Sequence, residues 1–133
     1  MNAHDELCRN VTSEFGGSLV KFTGDGMLAT FATPSSALQC AATMRDRLRR
    51  LDLQARFGVH TGEIVHRPDD VSGLGVVVTA RIMEHAKSGQ ILSSDLTRQL
   101  ALGSDYAFSD QGAESLKGVP GHWQLFDVAV STN

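Results

Sequence analysis

A Gly-Asp-Gly turn lies between two short apolar segments near the beginning of the chain, in the sequence KFTGDGMLATF at residues 21–31. Asp-Gly is a typical sequence for the tight turn that joins two antiparallel strands. The flanking segments, SLVKFT and MLATFA, carry β-branched, aromatic and other apolar residues that favour strands. The sequence therefore predicts a β-hairpin here, and the helices must begin outside it.

Segments with helical spacing flank this hairpin. Apolar residues four apart predict a helix over residues 5–15, which Gly16 and Gly17 end. A second helix is predicted to begin at Pro34. The buried stripe of this second helix is predicted to consist of Ala37, Cys40, Ala41, Met44 and Leu48.

The second half of the chain continues the alternation of strands and helices. LDLQARFGVHTGEI is predicted as a strand region, HRPDDVSG as a polar loop and VVVTARIMEHA as a helix. GQILSS is a short strand, and DLTRQLAL a short helix that begins at Ser94 or Asp95. Two closing strands around a glycine-rich loop follow from Tyr106. Without a linker or repeat, residues 1–133 are predicted to form one α/β or α+β domain.

Length and composition exclude several classes of protein. The chain has 133 residues, of which 41% are hydrophobic and 20% charged, which is not the composition of a disordered chain or a membrane protein. Its formal net charge of −3 argues against a nucleic-acid partner bound through a basic face. No apolar segment is long enough to span a bilayer and no secretory signal is present, so we expect no membrane partner and a cytoplasmic location.

Five charged residues interrupt the apolar segments and are the candidate functional residues: Lys21, Asp25, Asp70, Arg81 and Lys117. A carboxylate on a hairpin, two lysines and an arginine would suit a phosphate-bearing ligand accompanied by a hard cation. Each residue also has a purely structural interpretation. Asp25 could be only a turn residue, Arg81 a cation on a helix surface and Asp70 part of a polar loop. The residue types alone leave these alternatives open.

The order of the segments is more specific than any single motif. HDELCRNVTSEFGGSLVKFTGDGMLATF, RFGVHTGEI, DDVSGLGVVVTARI, SGQILSS and LKGV follow one another as in the class III adenylate and guanylate cyclases. The chain most resembles the bacterial, actinobacterial-type cyclase homology domains, from about His4 to Val128. The resemblance implies an α+β, ferredoxin-like (βαββαβ-type) sandwich. It also implies conversion of a nucleoside triphosphate to a 3′,5′-cyclic nucleotide and pyrophosphate.

The resemblance implies a role for each candidate residue. Asp25 matches the second of two aspartates that hold two divalent metal ions, Mg²⁺ or Mn²⁺, at the attacking and leaving oxygens. Arg81 matches the arginine that stabilises charge on the transferring phosphate. Lys117 matches the lysine that meets the terminal phosphates.

Lys21 and Asp70 match the two side chains with which the family selects its base. A lysine only donates hydrogen bonds, which suits adenine N1, and a carboxylate only accepts them, which suits the exocyclic amino group. Guanine presents the reverse pattern along the same edge. The resemblance therefore implies ATP as the substrate.

Two departures from the family pattern imply a degenerate enzyme. The family's helix entry reads G-x-x-V-N-x-A-x-R, and GLGVVVTAR here places Val77 where the asparagine would hold the ribose. Losing such an orienting group costs on the order of 10²–10³ in rate. The chain also starts at the helix that follows the family's first strand. We therefore expect a domain truncated at the N-terminus, without the first metal-binding aspartate.

The strand expected to be absent lies inside the family's sheet, so its loss would leave backbone groups of its neighbours unpaired. Each buried unsatisfied group costs about 1–3 kcal/mol. Either the two neighbouring strands close up, or another chain supplies the strand, or the domain is marginally stable.

Three functions remain open from the sequence. The first is an adenylate cyclase working as a head-to-tail dimer, because the family places the metal aspartates on one subunit and the base-selecting pair and arginine on the other. The second is a catalytically inactive pseudo-cyclase, a regulatory module that binds ATP or dimerises with another cyclase domain. The third is an inactive remnant. A palm-like nucleic-acid binder is disfavoured by the charge. The expected partners are ATP and a second cyclase domain, as a homodimer or heterodimer.

Overall fold

A computed structural model describes residues 3–23, 26–68, 70–101, 103 and 105–131 of the chain. Helices and strands alternate through these residues, as the sequence predicts. In chain order they are α1 (Ala3–Glu14), β1 (Ser18–Thr23), β2 (Gly26–Thr30), α2 (Pro34–Arg50), β3 (Phe57–Val59), β4 (Val65–Arg67), β5 (Asp70–Ser72), α3 (Leu74–His85), β6 (Ile91–Ser94), α4 (Asp95–Leu100), β7 (Tyr106–Ser115) and β8 (His122–Val130). The predicted α+β class is confirmed.

The strands form one four-stranded sheet and two hairpins. The four-stranded sheet has the order β3-β6-β8-β7, with β3 parallel to β6 and β8 antiparallel to both of its neighbours. Strands β1 and β2 form the predicted hairpin, in which Ser18 lies opposite Thr30 and Thr23 opposite Gly26. The turn residues Gly24 and Asp25 lie outside the described residues, so the predicted position of Asp25 at the tip is not tested.

The prediction of a polar loop for HRPDDVSG was wrong, because this segment contributes to a second hairpin. Strands β4 and β5 pair antiparallel, with Val65 opposite Ser72 and Arg67 opposite Asp70. Every residue of β4 is exposed, and Val71 is the buried residue of β5. A hairpin with so little buried surface lacks the apolar alternation by which a strand is recognised.

Local signals place two helix starts as predicted. The Thr33 hydroxyl accepts a hydrogen bond from the Ser36 backbone N–H at the start of α2, where Pro34 occupies the first turn. Ser94 caps α4 by accepting from the Thr97 backbone N–H. Such caps satisfy backbone donors that have no partner within the helix.

Helix α2 packs against two different parts of the protein. On one side its residues meet the four-stranded sheet, in a cluster of Leu38, Ala41, Ala42, Val59, Ile91, Ala101 and Val128. On the other side they meet α1 and the β1–β2 hairpin, in a cluster of Cys8, Val11, Cys40, Met44 and Leu48 with partly buried residues that include Leu19, Phe22 and Met27.

The predicted stripe of α2 is therefore too narrow. Four of its five residues are buried, but Ala37 is only partly buried. Leu38 and Ala42, which the stripe omits, are 0% exposed. A helix covered on two sides buries more than the single stripe of a surface helix.

Helix α3 packs on the opposite face of the four-stranded sheet. Successive residues of a strand point to opposite faces, and in β6 Ile91 joins the cluster under α2 whereas Leu92 joins the cluster under α3. The α3 cluster consists of Val78, Ile82, Ala86, Leu92, Leu116, Val119 and Leu125. The sheet is thus a middle layer between α2 and α3.

No hydrogen bond within the described residues joins the β1–β2 hairpin to the four-stranded sheet, although α2 covers both. The hairpin therefore does not extend the four-stranded sheet in the described part of the chain. The hairpin is held instead by side-chain packing under α1 and α2. The described helices include none with the length and apolar character needed to cross a membrane.

Gly58 of β3 sets how closely α3 approaches the sheet. A Cβ atom at this position would lie 2.6 Å from the Met83 backbone nitrogen and 2.7 Å from the Thr79 carbonyl oxygen. Both are backbone atoms of α3, which cannot rotate away as a flexible side chain could. No side chain larger than that of glycine therefore fits at this position without moving α3.

We predict that Gly58→Ala lowers the free energy of unfolding by about 1–3 kcal/mol, because the added methyl group must push α3 away from β3. Urea denaturation followed by circular dichroism measures this change. Gly62→Ala is the matched control, since its Cβ atom would meet the nearest atom, His60 Nε2, at an ordinary 3.4 Å. Equal stability of the two variants would contradict the close packing of α3 on β3.

Candidate functional site

Lys21 and Asp70 form an ion pair on the surface. Lys21 lies in β1 and Asp70 begins β5, and the Lys21 Nζ is 2.9 Å from the Asp70 Oδ1. The two side chains are 43% and 45% exposed. Asp70 Oδ1 also accepts a hydrogen bond from the Val71 backbone N–H, at 2.8 Å. The structure thus brings together a donor and an acceptor that the sequence analysis assigned to one ligand.

This pairing changes the acidity of Asp70. The hydrogen bond from Lys21 lowers the pKa of Asp70, and the Val71 N–H and the Arg67 charge lower it further. Because the pKa in the folded chain is depressed, the stabilisation is present above the ordinary pKa of 3.8 and is lost as the pH falls through the lowered value. Asp70 is therefore ionised at neutral pH.

Arg81 and Lys117 are also neighbours, through the Lys117 backbone. Arg81 lies in α3, and its Nε–H donates to the Lys117 carbonyl oxygen at 3.1 Å. Lys117 is exposed in the segment between β7 and β8. This contact attaches the β7–β8 connection to α3 and brings the Lys117 backbone next to the Arg81 guanidinium.

Glu84 is a partner of Arg81 that the sequence analysis missed. Arg81 Nη1 donates to Glu84 Oε1 at 3.1 Å and to Glu84 Oε2 at 2.9 Å. The signal was available, since an arginine and a glutamate three residues apart on a helix are neighbours on its surface. The Arg81 guanidinium is thus engaged at two of its nitrogens.

Val77 lies one helical turn before Arg81. Residues four apart share one face of a helix, so the two side chains lie on the same face of α3. Val77 is 40% exposed, although it is apolar. The position assigned to a ribose-binding asparagine therefore carries a surface side chain that can neither donate nor accept a hydrogen bond.

An apolar groove beside α3 does not include the charged candidates. It has a volume of about 350 Å³ and is lined by His60, Thr61, Gly62, Glu63, Leu74, Gly75, Val78, Leu96 and Trp123. His60 Nδ1 lies 2.7 Å from the Ser94 Oγ, and burial lowers the pKa of the His60 ring. This histidine is a neutral packing group at neutral pH, held edge-on against Trp123 at 5.5 Å between ring centres.

The four described candidates therefore form two separate pairs. One pair is Lys21 with Asp70, and the other is Arg81 with Lys117. Among the described residues, no hydrogen bond or ion pair links one pair to the other.

The proposed metal ligand cannot be placed. Asp25 lies outside the described residues. Within the part of the chain that the structure describes, no three His, Cys, Asp or Glu side chains form a group that could hold a metal ion.

No protein-family model matches the chain, but curated relatives do. The serine/threonine-protein kinase pkn2 of Myxococcus xanthus is 27% identical over 134 residues, which cover 95% of this chain and 16% of that protein. Putative adenylate cyclase 3 of Rhizobium meliloti is 31% identical over 112 residues, covering 77% of this chain and 19% of the relative. An uncharacterised protein of Mycobacterium tuberculosis is 32% identical over 83% of this chain and 40% of its own length. The chain thus spans less than half of each of these relatives.

Solved structures match over nearly the whole chain. The adenylate/guanylate cyclase/hydrolase from Silicibacter pomeroyi superposes with a TM-score of 0.84 at 30% identity, over 98% of this chain and 82% of that one. The guanylyl cyclase Cya2 superposes with a TM-score of 0.81 at 26% identity, over 96% and 77% of the two chains. The adenylyl cyclase CyaB from P. aeruginosa shares the fold at 20% identity and a TM-score of 0.81, over 96% and 79%. The arrangement of helices and strands described above is thus shared with these proteins.

We predict that nuclear magnetic resonance titration of the Asp70 carboxyl group gives a pKa below the ordinary 3.8, and that Lys21→Met raises it. Lys117→Met removes the same charge elsewhere and should leave the Asp70 pKa unchanged. An Asp70 pKa that is insensitive to Lys21→Met would show that the ion pair does not form in solution.

Proposed function

Because this chain belongs to the family of class III adenylate and guanylate cyclase catalytic domains, we propose that it is an adenylate-type domain that binds ATP for conversion to cyclic AMP and pyrophosphate. The observation that carries the proposal is the Lys21–Asp70 pair, with its donor and acceptor 2.9 Å apart on the surface. The location proposed for the protein is the cytoplasm.

Adenine offers an acceptor at N1 beside a donor at its exocyclic amino group. Lys21 can donate to N1, and Asp70 can accept from the exocyclic amino group. Binding of adenine would therefore break the Lys21–Asp70 ion pair and replace it with one hydrogen bond from each side chain to the base. An exposed pair is suited to this exchange, because exposed ion pairs stabilise a protein by only about 0–1 kcal/mol. Guanine has a donor at N1 and an acceptor at O6. Lys21 would therefore face another donor, and Asp70 would face another acceptor.

Arg81 and Lys117 are proposed to bind the phosphates. In the reaction the ribose 3′-hydroxyl attacks the α-phosphate and pyrophosphate leaves, so negative charge redistributes over the phosphate oxygens. A guanidinium and an ammonium from neighbouring residues would stabilise that charge. Mg²⁺ or Mn²⁺ is the proposed cofactor, with Asp25 as the proposed ligand. When bound, such an ion supplies further neutralisation of phosphate charge.

We propose that two cyclase domains complete the site, as a homodimer or a heterodimer. The support is the membership of the cyclase family, which places the metal ligands on one subunit and the base-selecting pair and the arginine on the other. A head-to-tail arrangement would place the base-selecting pair and the arginine of one subunit opposite the metal ligand of the other.

A catalytically inactive pseudo-cyclase is the second candidate function, and Val77 favours it. An exposed valine on the Arg81 face of α3 gives the ribose no hydrogen bond. Orientation of the attacking hydroxyl is worth several orders of magnitude in rate, so its loss weakens turnover more than it weakens binding. Such a domain would act by binding ATP or by pairing with another cyclase domain.

We predict that ATP binds more tightly than GTP, and that Lys21→Glu reduces the ratio of the two affinities by about tenfold, since a charge-assisted hydrogen bond is replaced by repulsion. Isothermal titration calorimetry with each nucleotide measures both affinities. Lys87→Glu, which makes the same charge change on an exposed residue after α3, is the control. Equal affinities for ATP and GTP in the unmodified chain would refute the proposed base recognition.

We further predict that the purified chain forms cyclic AMP at or near background with either Mg²⁺ or Mn²⁺, because Val77 cannot orient the ribose. Chromatography of the products detects cyclic AMP directly. Val77→Asn separates the two candidate functions: an increase on the order of 10²-fold supports a weakened cyclase, and no increase supports the pseudo-cyclase. Robust turnover by the unmodified chain would show that Val77 is not limiting.

A further inference from the structure

We propose that Glu84 is an internal competitor for the Arg81 guanidinium, which a phosphate group must displace before it can bind this arginine with two hydrogen bonds. The inference rests on the proposed function, because it takes Arg81 as a phosphate-binding residue. It adds a residue, Glu84, that weakens the affinity of the site for phosphate.

The hydrogen bonds of Arg81 leave neither edge of its guanidinium free. A guanidinium can bind an oxyanion with two parallel hydrogen bonds, either from Nε and Nη2 or from Nη1 and Nη2. The Lys117 carbonyl oxygen occupies Nε at 3.1 Å. The Glu84 carboxylate occupies Nη1 at 3.1 and 2.9 Å. Each edge therefore has one donor already engaged.

Glu84 is the partner that can yield. The Lys117 oxygen belongs to the backbone, next to Leu116, which is 1% exposed and part of the core. The Glu84 side chain is 44% exposed, so water can replace Arg81 as its partner. Among the contacts of the described residues, the Glu84 carboxylate bonds to Arg81 and to no other side chain.

Displacement frees the edge formed by Nη1 and Nη2. Two phosphate oxygens then accept hydrogen bonds from Nη1 and Nη2, and the Nε contact to Lys117 continues to orient the guanidinium. Because Glu84 is an anion held against the same donor, its effect resembles that of a bound competing anion. An exposed ion pair of this kind lowers phosphate affinity by about two- to fivefold.

The test uses the full chain and sodium tripolyphosphate, whose linked phosphates present the oxygens of a nucleoside triphosphate without a base. Isothermal titration calorimetry at low ionic strength should show binding about two- to fivefold tighter for Glu84→Gln than for the unmodified chain. Glu114→Gln is the matched control, since it removes the same charge from a side chain that faces His85. Its affinity should equal that of the unmodified chain. Thermal melting checks that the variants remain folded.

Several results would overturn the proposal. An unchanged affinity in Glu84→Gln would show that Glu84 does not compete, and a weaker one would show that Glu84 positions Arg81 for the phosphate. An equal gain in Glu114→Gln would show a general charge effect, and no binding to any variant would show that Arg81 does not bind phosphate in this chain. Arg81→Ala tests the underlying premise separately. If it binds tripolyphosphate as well as the unmodified chain does, the phosphate-binding role of Arg81 in the proposed function fails as well.

Discussion

The burial of α2 on two sides is the interaction on which the rest of the structure depends. Leu38 and Ala42 fix the helix on the four-stranded sheet, while Met44 and Leu48 hold α1 and the β1–β2 hairpin against its other side. No described hydrogen bond joins that hairpin to the larger sheet, so apolar packing under α1 and α2 locates it, together with the ion pair from Lys21 to Asp70 of β5. The position of Lys21, which the hairpin carries, therefore depends on the apolar side chains of α1 and α2.

The other candidate residues depend on close packing in a second layer. Gly58 allows the backbone of α3 to touch β3, and α3 carries both Val77 and Arg81. Leu116 anchors the start of the β7–β8 connection in the core beneath α3, so the Lys117 carbonyl oxygen meets Arg81. Small errors in this packing would move the guanidinium relative to its partners, and a displacement of about 1 Å can cost a hundredfold in an enzyme's rate.

Two of the candidate cations, Lys21 and Arg81, share one electrostatic feature. Lys21 is paired with Asp70, and Arg81 with Glu84, so both cations are neutralised by carboxylates in the free chain. All four side chains are between 32% and 45% exposed, which keeps these pairs weak and open to exchange with a ligand. A buried pair would instead resist opening, because removing one partner leaves an uncompensated charge in the interior.

The sequence by itself determined the elements whose signals are local: the β1–β2 hairpin, the capped starts of α2 and α4, helix α3 and the two closing strands. It also contained the order of motifs by which the family could be recognised. It could not determine the β4–β5 hairpin, whose β4 residues are all exposed, or the burial of Leu38 and Ala42, which requires two neighbours around α2. Only the tertiary structure decided that Lys21 meets Asp70 and that Arg81 meets the Lys117 carbonyl, because these residues are distant in the sequence and approach through the packing of separate elements.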